Sequence, residues 1–358
     1  MKVTLYKNIK SENWYSMERY ASALARKFKV QSAKSKVKEF GFNVPRLLFG
    51  GRRKFFWRFG VYPFLAQFVQ GDVNHITDHS YARAIKYLDP QKTVITCHDL
   101  IPLTYEKDSQ ALAIFKKTIS YLPRAQRIIA VSKATKRDLV EKLGVDPEKI
   151  VVVYEGVEKK FKITNDELRI FEKEPFHDKK VILHVGNSLE YKNMEGLLKA
   201  FAKVVRSEGD VTLVKVGNFT KGQLDLILSL NLKLDLNIFE RPGLSEEELV
   251  AMYNLATVTC IPSHQEGFGF PVLESLACGA PVVCSNTSSL PEVGGQSALY
   301  CNPAKPDSIA RKILEVLQMP KPAYQKLSQQ GIKHTKKFTW EKCAQETTVV
   351  YKQLLNMV

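Results

Sequence analysis

No stretch of this 358-residue chain holds the roughly 20 consecutive apolar residues that a membrane-crossing helix needs. The first residues, Met1-Lys2-Val3-Thr4-Leu5-Tyr6, read as a strand and not as a targeting leader. Cysteine is scarce and scattered. Cys97, Cys260, Cys278, Cys284, Cys301 and Cys343 form no C-x-x-C pair and share no histidine at metal-ligand spacing. That excludes a zinc module and a disulfide-stapled scaffold, and implies reduced thiols in the core of a cytoplasmic protein. The absence of G-x-G-x-x-G, of a Walker A loop, of internal repeats and of low-complexity tracts excludes the common dinucleotide fingerprint, the P-loop and the solenoids.

What is present suggests two domains of ordinary size, with a hydrophobic share of 44% to fill both cores. The net charge of +16 is unevenly placed. Residues 1–170 hold 32 Lys and Arg against 17 Asp and Glu, while the remainder holds 21 against 20. The basic half implies an acidic partner or an anionic surface. Its densest part, residues 46–60, runs through Gly50-Gly51-Arg52-Arg53-Lys54-Phe55-Phe56-Trp57-Arg58-Phe59-Gly60. Bases set among aromatics suit a helix lying on an anionic membrane surface, cations on phosphates and rings in the headgroup layer. Rings that face the core are the competing reading. Nucleic acid as a partner is set aside, because the half without this stretch is nearly neutral.

Apolar strand-like runs alternate with helix signals along the chain. Strands are expected at 1–6, 72–77, 93–97, 127–132, 149–157, 181–186, 211–217, 258–261 and 282–284. Ser132 caps a helix over 133–143 that Gly144 closes, and Ser245 with Glu248 forms a capping box. The alternation implies an α/β chain of two doubly wound domains. Residues 158–178, charged and holding Pro175, are expected to link them. His98 and Asp99 follow the strand 93–97 at its carboxyl end, where such sheets place ligands. Asp99 is expected to cap a turn or hold His98 in place.

The richest stretch is Pro262-Ser263-His264-Gln265-Glu266-Gly267-Phe268-Gly269-Phe270-Pro271-Val272-Leu273-Glu274. It leaves an apolar strand, turns through two glycines and enters a helix at Pro271, a residue suited to a first turn. Two carboxylates thus stand beside a helix N-terminus that favours an anionic ligand.

The string S-x-x-E-G-F-G-x-P-x-L-E, with Cys278-Gly279-Ala280-Pro281-Val282-Val283 after it, resembles the E-x7-E motif of retaining glycosyltransferases of family 4, the glycogen-synthase-like group. Thr96-Cys97-His98-Asp99-Leu100 and Ser289-Leu290-Pro291-Glu292-Val293 resemble further elements of that family. The resemblance implies a GT-B fold, two Rossmann-like domains facing across a cleft. The boundaries expected are 1–165 for an acceptor domain, 176–335 for a donor domain and 336–358 for a helix returning to the first. The implied activity is metal-independent transfer of a hexosyl group, with retention, from a nucleotide-sugar of GDP-mannose or UDP-hexose type to a hydroxyl of a glycan or lipid-linked acceptor in polysaccharide assembly. The nucleotide-sugar is a substrate, and no cofactor is implied.

By resemblance Glu266, Lys192 and His98 are the catalytic residues. Glu266 would bind the sugar hydroxyls, Lys192 the diphosphate, and His98 would donate a hydrogen bond to the sugar and phosphate region. Glu274 would hold the ribose diol with its two oxygens. Gly186, Asn187, Gly217, Phe268, Gly269, Phe270 and Ser16 complete the donor set. Two positions depart from the family pattern. Trp14, Tyr15 and Ser16 stand where a glycine-rich turn is usual, and Asn187 stands where an arginine is usual. Diphosphate neutralisation then falls on Lys192, helix dipoles and backbone amides. A location on the inner face of the plasma membrane follows from the basic half. The alternative is a catalytically inactive nucleotide-sugar-binding protein docked on a membrane or polyanion.

Overall fold

The computed structural model describes residues 1–12, 15–31, 36–45, 52–164 and 167–357. The chain forms two compact units, Met1–Gly156 with Thr339–Val358, and Val157–Phe338. Residues 46–51 and Trp14 of the stretches singled out above lie outside the described residues.

The first unit carries β1 (Lys2–Tyr6), β2 (Lys36–Phe40), β3 (Val73–Ile76), β4 (Thr93–Cys97), β5 (Arg127–Ala130) and β6 (Ile150–Val152), all parallel, in the order β2-β1-β3-β4-β5-β6. The second carries β7 (Lys180–Val185), β8 (Val211–Val216), β9 (Ile238–Glu240), β10 (Val258–Ile261), β11 (Val282–Ser285) and β12 (Leu299–Cys301), in the order β12-β11-β10-β7-β8-β9. Parallel strands need crossovers, and the helices between them cover both faces, so the strands are continuous apolar runs. β7 shows the consequence. Ile182 joins Leu213, Ile238 and Phe201 on one face, while Val181 and Leu183 join Val214, Phe239 and Tyr253 on the other.

Each order reverses direction once, between β1 and β3 in the first sheet and between β7 and β10 in the second. Ligands in such sheets sit beyond the carboxyl ends of the strands at the reversal. In the second unit those ends lead into Gly186 and into Pro262–Gly269.

One expectation is corrected here, and the basic stretch gains detail. Residues 158–178 are not a free connection. Phe161, Phe171 and Phe176 are buried in the second unit, and the Phe176 ring meets Phe239 at 5.1 Å. The charged residues around them masked three core anchors. The basic stretch is helical, through Arg52–Phe56, Trp57–Val61 and Tyr62–Ala66, and two of its cations, Lys54 and Arg58, reach a buried carboxylate. The carboxylate of Glu12 has no solvent exposure and receives Arg58 at 3.3 Å, Lys54 at 3.5 Å and the Tyr81 hydroxyl at 2.8 Å. A buried carboxylate needs such partners. Phe55, Phe56, Phe64 and Phe68 are exposed, whereas Trp57 packs on the core.

The helix Trp340–Leu355 belongs to the first unit. It bonds Tyr351 to His75 at 2.6 Å, and Glu341 to Lys27 of the helix Tyr15–Gln31 at 2.6 Å. Gly156 meets it so closely that a Cβ there would lie 2.2 Å from the Trp340 nitrogen.

Candidate active site

β7 and β8 are neighbours, and each ends in a glycine, Gly186 and Gly217. Gly217 has φ +120°, and a Cβ on it would lie 2.7 Å from the Gly186 carbonyl oxygen. Only glycine lets these two strand ends approach so closely. Beyond Gly186 the chain passes Asn187, makes the short turn Glu190–Lys192 and enters the helix Met194–Ser207 through Asn193. Asn193, left-handed at φ 57°, caps that helix at Gly196 and donates from Nδ2 to the carbonyls of Pro262 and Pro303 at 2.9 and 2.7 Å. One side chain thereby fixes the Lys192 turn to the loop after β10.

That loop carries Glu266. Lys192 Nζ donates to both its oxygens, at 2.7 and 3.0 Å, and Ser263 Oγ donates to Oε1 at 2.7 Å. The Glu266 backbone is held from β11's far end. Its N–H donates to Ser288 Oγ at 3.0 Å, and its carbonyl accepts from Ser288 and Ser289. Ser289 also bonds the Phe268 carbonyl at 2.7 Å. Gly269, at φ +116°, is the N-cap of the helix Phe270–Ala277, with Pro271 in its first turn. Glu274, inside that helix, is 3% exposed and accepts from the Tyr253 hydroxyl at 2.8 Å. The carboxylate expected to grip a diol is thus oriented by a phenol. Gly186, Asn187, Lys192, Gly217, Glu266, Phe268–Phe270 and Glu274 all lie at this carboxyl edge of the second sheet.

In the first unit His98 follows β4 and is 5% exposed. Its Nε2 faces the Thr77 carbonyl at 2.9 Å and its Nδ1 faces Glu155 Oε1 at 3.3 Å. A carbonyl and a carboxylate as neighbours favour a ring with both nitrogens protonated. Burial opposes that charge, but Glu155, Asp78 and the Thr77 carbonyl outweigh it and raise the pKa to about 9. The ring expected to donate toward a ligand therefore faces acceptors of its own unit at both nitrogens. Asp99 takes the Ile101 amide at 3.0 Å, closing a turn. Ser16 is exposed in the first turn of its helix and bonds the Met17 sulfur at 3.6 Å. Among the described residues no group of three or more His, Cys, Asp or Glu side chains could hold a metal ion.

Two family models cover most of the chain: glycosyl transferases group 1 matches residues 166–334, and glycosyltransferase family 4 matches residues 18–161. The chain belongs to the family-4 glycosyltransferases. This family-4 chain is 27% identical over 266 residues to the serotype-specific mannosyltransferase WbdA of Escherichia coli, matching 71% of its own length and 32% of that protein's. It thus spans about a third of that relative. It is 27% identical to the O-antigen chain mannosyltransferase B of Escherichia coli, over 74% of this chain and 71% of the other. It is 30% identical to the MMP alpha-(1->4)-mannosyltransferase of Mycolicibacterium hassiacum, over 64% and 55%. In fold it resembles sucrose-phosphate synthase of Thermosynechococcus elongatus, with TM-score 0.77 and 19% identity over all of both chains. It also resembles HepE of Anabaena, solved with UDP and glucose, with TM-score 0.78 and 17% identity over 99% and 100%. The chain has the GT-B fold.

Several residues of this family-4 site were not found from sequence. Ser263 and Ser288 buttress Glu266, and Tyr253 orients Glu274. Lys215, on β8, corrects the expectation that Lys192 is the only nearby side-chain cation. It is fully buried and its ammonium bonds the Gly186 carbonyl at 3.0 Å. Its signal was a lysine inside an otherwise apolar strand, Val211-Thr212-Leu213-Val214-Lys215-Val216.

Proposed function

We propose that the protein transfers a hexosyl group, with retention and without a metal, from a nucleotide-sugar to a hydroxyl of a growing glycan or lipid-linked acceptor. The observation that carries this is Glu266, clamped by Lys192 and Ser263 at the sheet reversal, with Glu274 held one turn into the next helix. The sugar C1–O bond breaks toward an oxocarbenium-like transition state, and negative charge collects on the departing diphosphate. Lys192 and the amides at Phe268–Phe270 stabilise that charge. The leaving phosphate takes the acceptor's proton as the acceptor oxygen attacks from the same face. The carboxylates of Glu266 and Glu274 accept from sugar and ribose hydroxyls. Three relatives bear mannosyltransferase names, which favours a GDP-mannose type of donor over a UDP-hexose.

The acceptor end rests on the first unit. No helix among the described residues is long and apolar enough to cross a membrane. The exposed rings of Phe55, Phe56, Phe64 and Phe68, with Arg53 beside them, suit peripheral attachment to an anionic bilayer on the cytoplasmic side.

A screen of UDP-, GDP- and ADP-sugars with chelator present, scored for donor cleavage and for the anomer formed, tests the reading. Turnover of one nucleotide class with the anomer retained supports it. No cleavage of any donor, or activity that vanishes with chelator, defeats it.

A further inference from the structure

Lys215 has no surface open to solvent. Its ammonium makes one hydrogen bond, to the Gly186 carbonyl, and stands 5.6 Å from the centre of the Phe219 ring. An ammonium has three N–H donors. Glu240, its register partner on β9, acts on it through space only, and that carboxylate itself accepts from the Phe219 amide. A buried cation without a contacting counter-ion is costly, and a fold retains one where something else repays it.

The surroundings add to the imbalance. Lys192 lies close enough to depress the Lys215 proton affinity, although its own charge is met by Glu266. His184, at the end of β7, donates from Nδ1 to the Cys260 carbonyl at 3.0 Å and leaves a buried Nε2 with no partner. Burial and the two lysines keep that ring neutral, its pKa pushed down to about 3. Two ammoniums and an unpartnered imidazole nitrogen thus surround two glycine corners. The Lys215 ammonium is the charge there without a contacting counter-ion, and an anion beyond Gly186 would offset it.

Peptide geometry makes the point sharper. In a trans peptide the carbonyl and the following N–H point in opposite directions. The Gly186 carbonyl points at Lys215, so the Asn187 N–H points away from it. That amide has no acceptor among the described residues. Asn187 spends its side chain on the Leu189 amide at 3.2 Å and is exposed.

We propose that Lys215 is a positioning residue for the diphosphate of a nucleotide-sugar: it turns the Gly186–Asn187 peptide so that the Asn187 amide faces the diphosphate, and it places a cation without a contacting counter-ion behind that amide. This rests on the reading of the edge as a nucleotide-sugar site. Lys215 does not touch the ligand. It acts through the peptide and through its field. Burial brings its pKa down to about 8, with Glu240 opposing and Lys192 assisting that shift. Diphosphate affinity therefore weakens as pH rises through about 8. Lys192, Glu240, neutral His184 and, behind Lys192, Glu266 are the other titratable groups at the corner.

Calorimetry with GDP and UDP between pH 6.5 and 9 tests it on the wild type, Lys215→Gln, Asn187→Arg and the double variant. Glutamine keeps a donor for the Gly186 carbonyl and removes the charge. The expected result is about tenfold weaker diphosphate binding by Lys215→Gln at pH 7, a scale of one decade per 1.4 kcal/mol. Its binding should lose the decline near pH 8, and Asn187→Arg should restore most of the affinity by returning a charge to the corner. Wild-type affinity in Lys215→Gln overturns the proposal. So does a folded Lys215→Gln that loses binding and is not rescued by Asn187→Arg, since Lys215 would then only support the loop. If Lys215→Gln does not fold, Lys215→Arg carries a cation that stays charged beyond pH 12, and an alkaline decline that persists in it overturns the proposal. Failure of the wild type to bind either nucleotide is a different result. It removes the nucleotide-sugar reading, and the role of Lys215 falls with it.

Discussion

Lys192 holds its ammonium against both carboxylate oxygens of Glu266, at 2.7 and 3.0 Å, while both side chains are about nine-tenths buried. The two residues expected to serve opposite ends of a donor, its sugar and its diphosphate, neutralise each other in this state. On the proposed function, an incoming diphosphate draws Lys192 away from Glu266 and frees the carboxylate for sugar hydroxyls. Lys192→Ala should lower turnover by more than tenfold, because charge grows on the diphosphate as the bond breaks. Glu266→Gln should leave GDP or UDP binding at least as tight, with transfer lost. Calorimetry beside a transfer assay checks both, and tighter nucleotide binding by Lys192→Ala would defeat the account.

Glu274→Ala should keep the fold and weaken donor binding severely. The Tyr253→Phe variant should be milder. It removes one bond that orients the carboxylate, a loss of about 0.5–1.5 kcal/mol and so of up to about tenfold in affinity. The effect should fall on donor KM and not on kcat. Unchanged nucleotide affinity in Glu274→Ala would show that the ribose is held elsewhere.

Arg58→Gln should act on stability before it acts on any membrane. Arg58 donates to Glu12 and to the Ser80 carbonyl, and its removal leaves a buried carboxylate with Tyr81 and the longer Lys54 contact. A loss of about 1–3 kcal/mol follows, read as a lower denaturation midpoint. Phe56→Ser with Phe68→Ser should instead leave stability almost unchanged and reduce co-sedimentation with anionic liposomes. Equal partitioning of wild type onto neutral and anionic vesicles, or onto neither, would leave a soluble acidic acceptor as the reason for the charge.

The pH dependence of stability carries a signature of His98. Its folded pKa is raised from 6.5 to about 9, so its contribution is full below the unfolded value and is lost as pH climbs through about 9. The size is on the order of 3 kcal/mol. Lys215, depressed to about 8, changes in the opposite sense between about 8 and its unfolded value, so the wild-type curve alone is ambiguous. The difference between wild type and Glu155→Gln isolates His98. The destabilisation by Glu155→Gln should be largest near pH 6 and shrink toward pH 10, with the His98 ring signals titrating at lower pH. On the acid side, His75 and His184, both held neutral by burial at about 3, lose stability as pH falls below 6.5. A constant difference across the range would mean that Glu155 does not hold the imidazolium.

The sheets were legible because buried parallel strands are plain apolar runs, as in Val94-Ile95-Thr96-Cys97 and Val181-Ile182-Leu183. The Glu266 loop was legible because its glutamates, glycines and proline stand in one local string. What escaped depends on distant partners. Glu12 lies 46 positions from Arg58 and 69 from Tyr81, so the inward turn of a surface-looking arginine has no local sign. Tyr253 meets Glu274 from a separate helix. Lys215 looks like the polar end of a strand, and only its place between β7 and β9 reveals that it is enclosed. The charged run over 158–178 hid Phe161, Phe171 and Phe176 for a similar reason: composition averages over residues, and burial does not.

Gly156 and Trp340 touch within the first unit, although the 182 residues of the second lie between them in the chain. A ribosome therefore releases the second unit as one uninterrupted segment while the first still lacks its last helix. Until Trp340–Leu355 emerges, Tyr20 and Phe28 lack the rings of Trp340 and Tyr351, and His75 lacks the Tyr351 hydroxyl. The half made first is thus the half finished last, and a nascent chain stalled short of residue 339 holds every residue of the second unit while the first still lacks its closing helix.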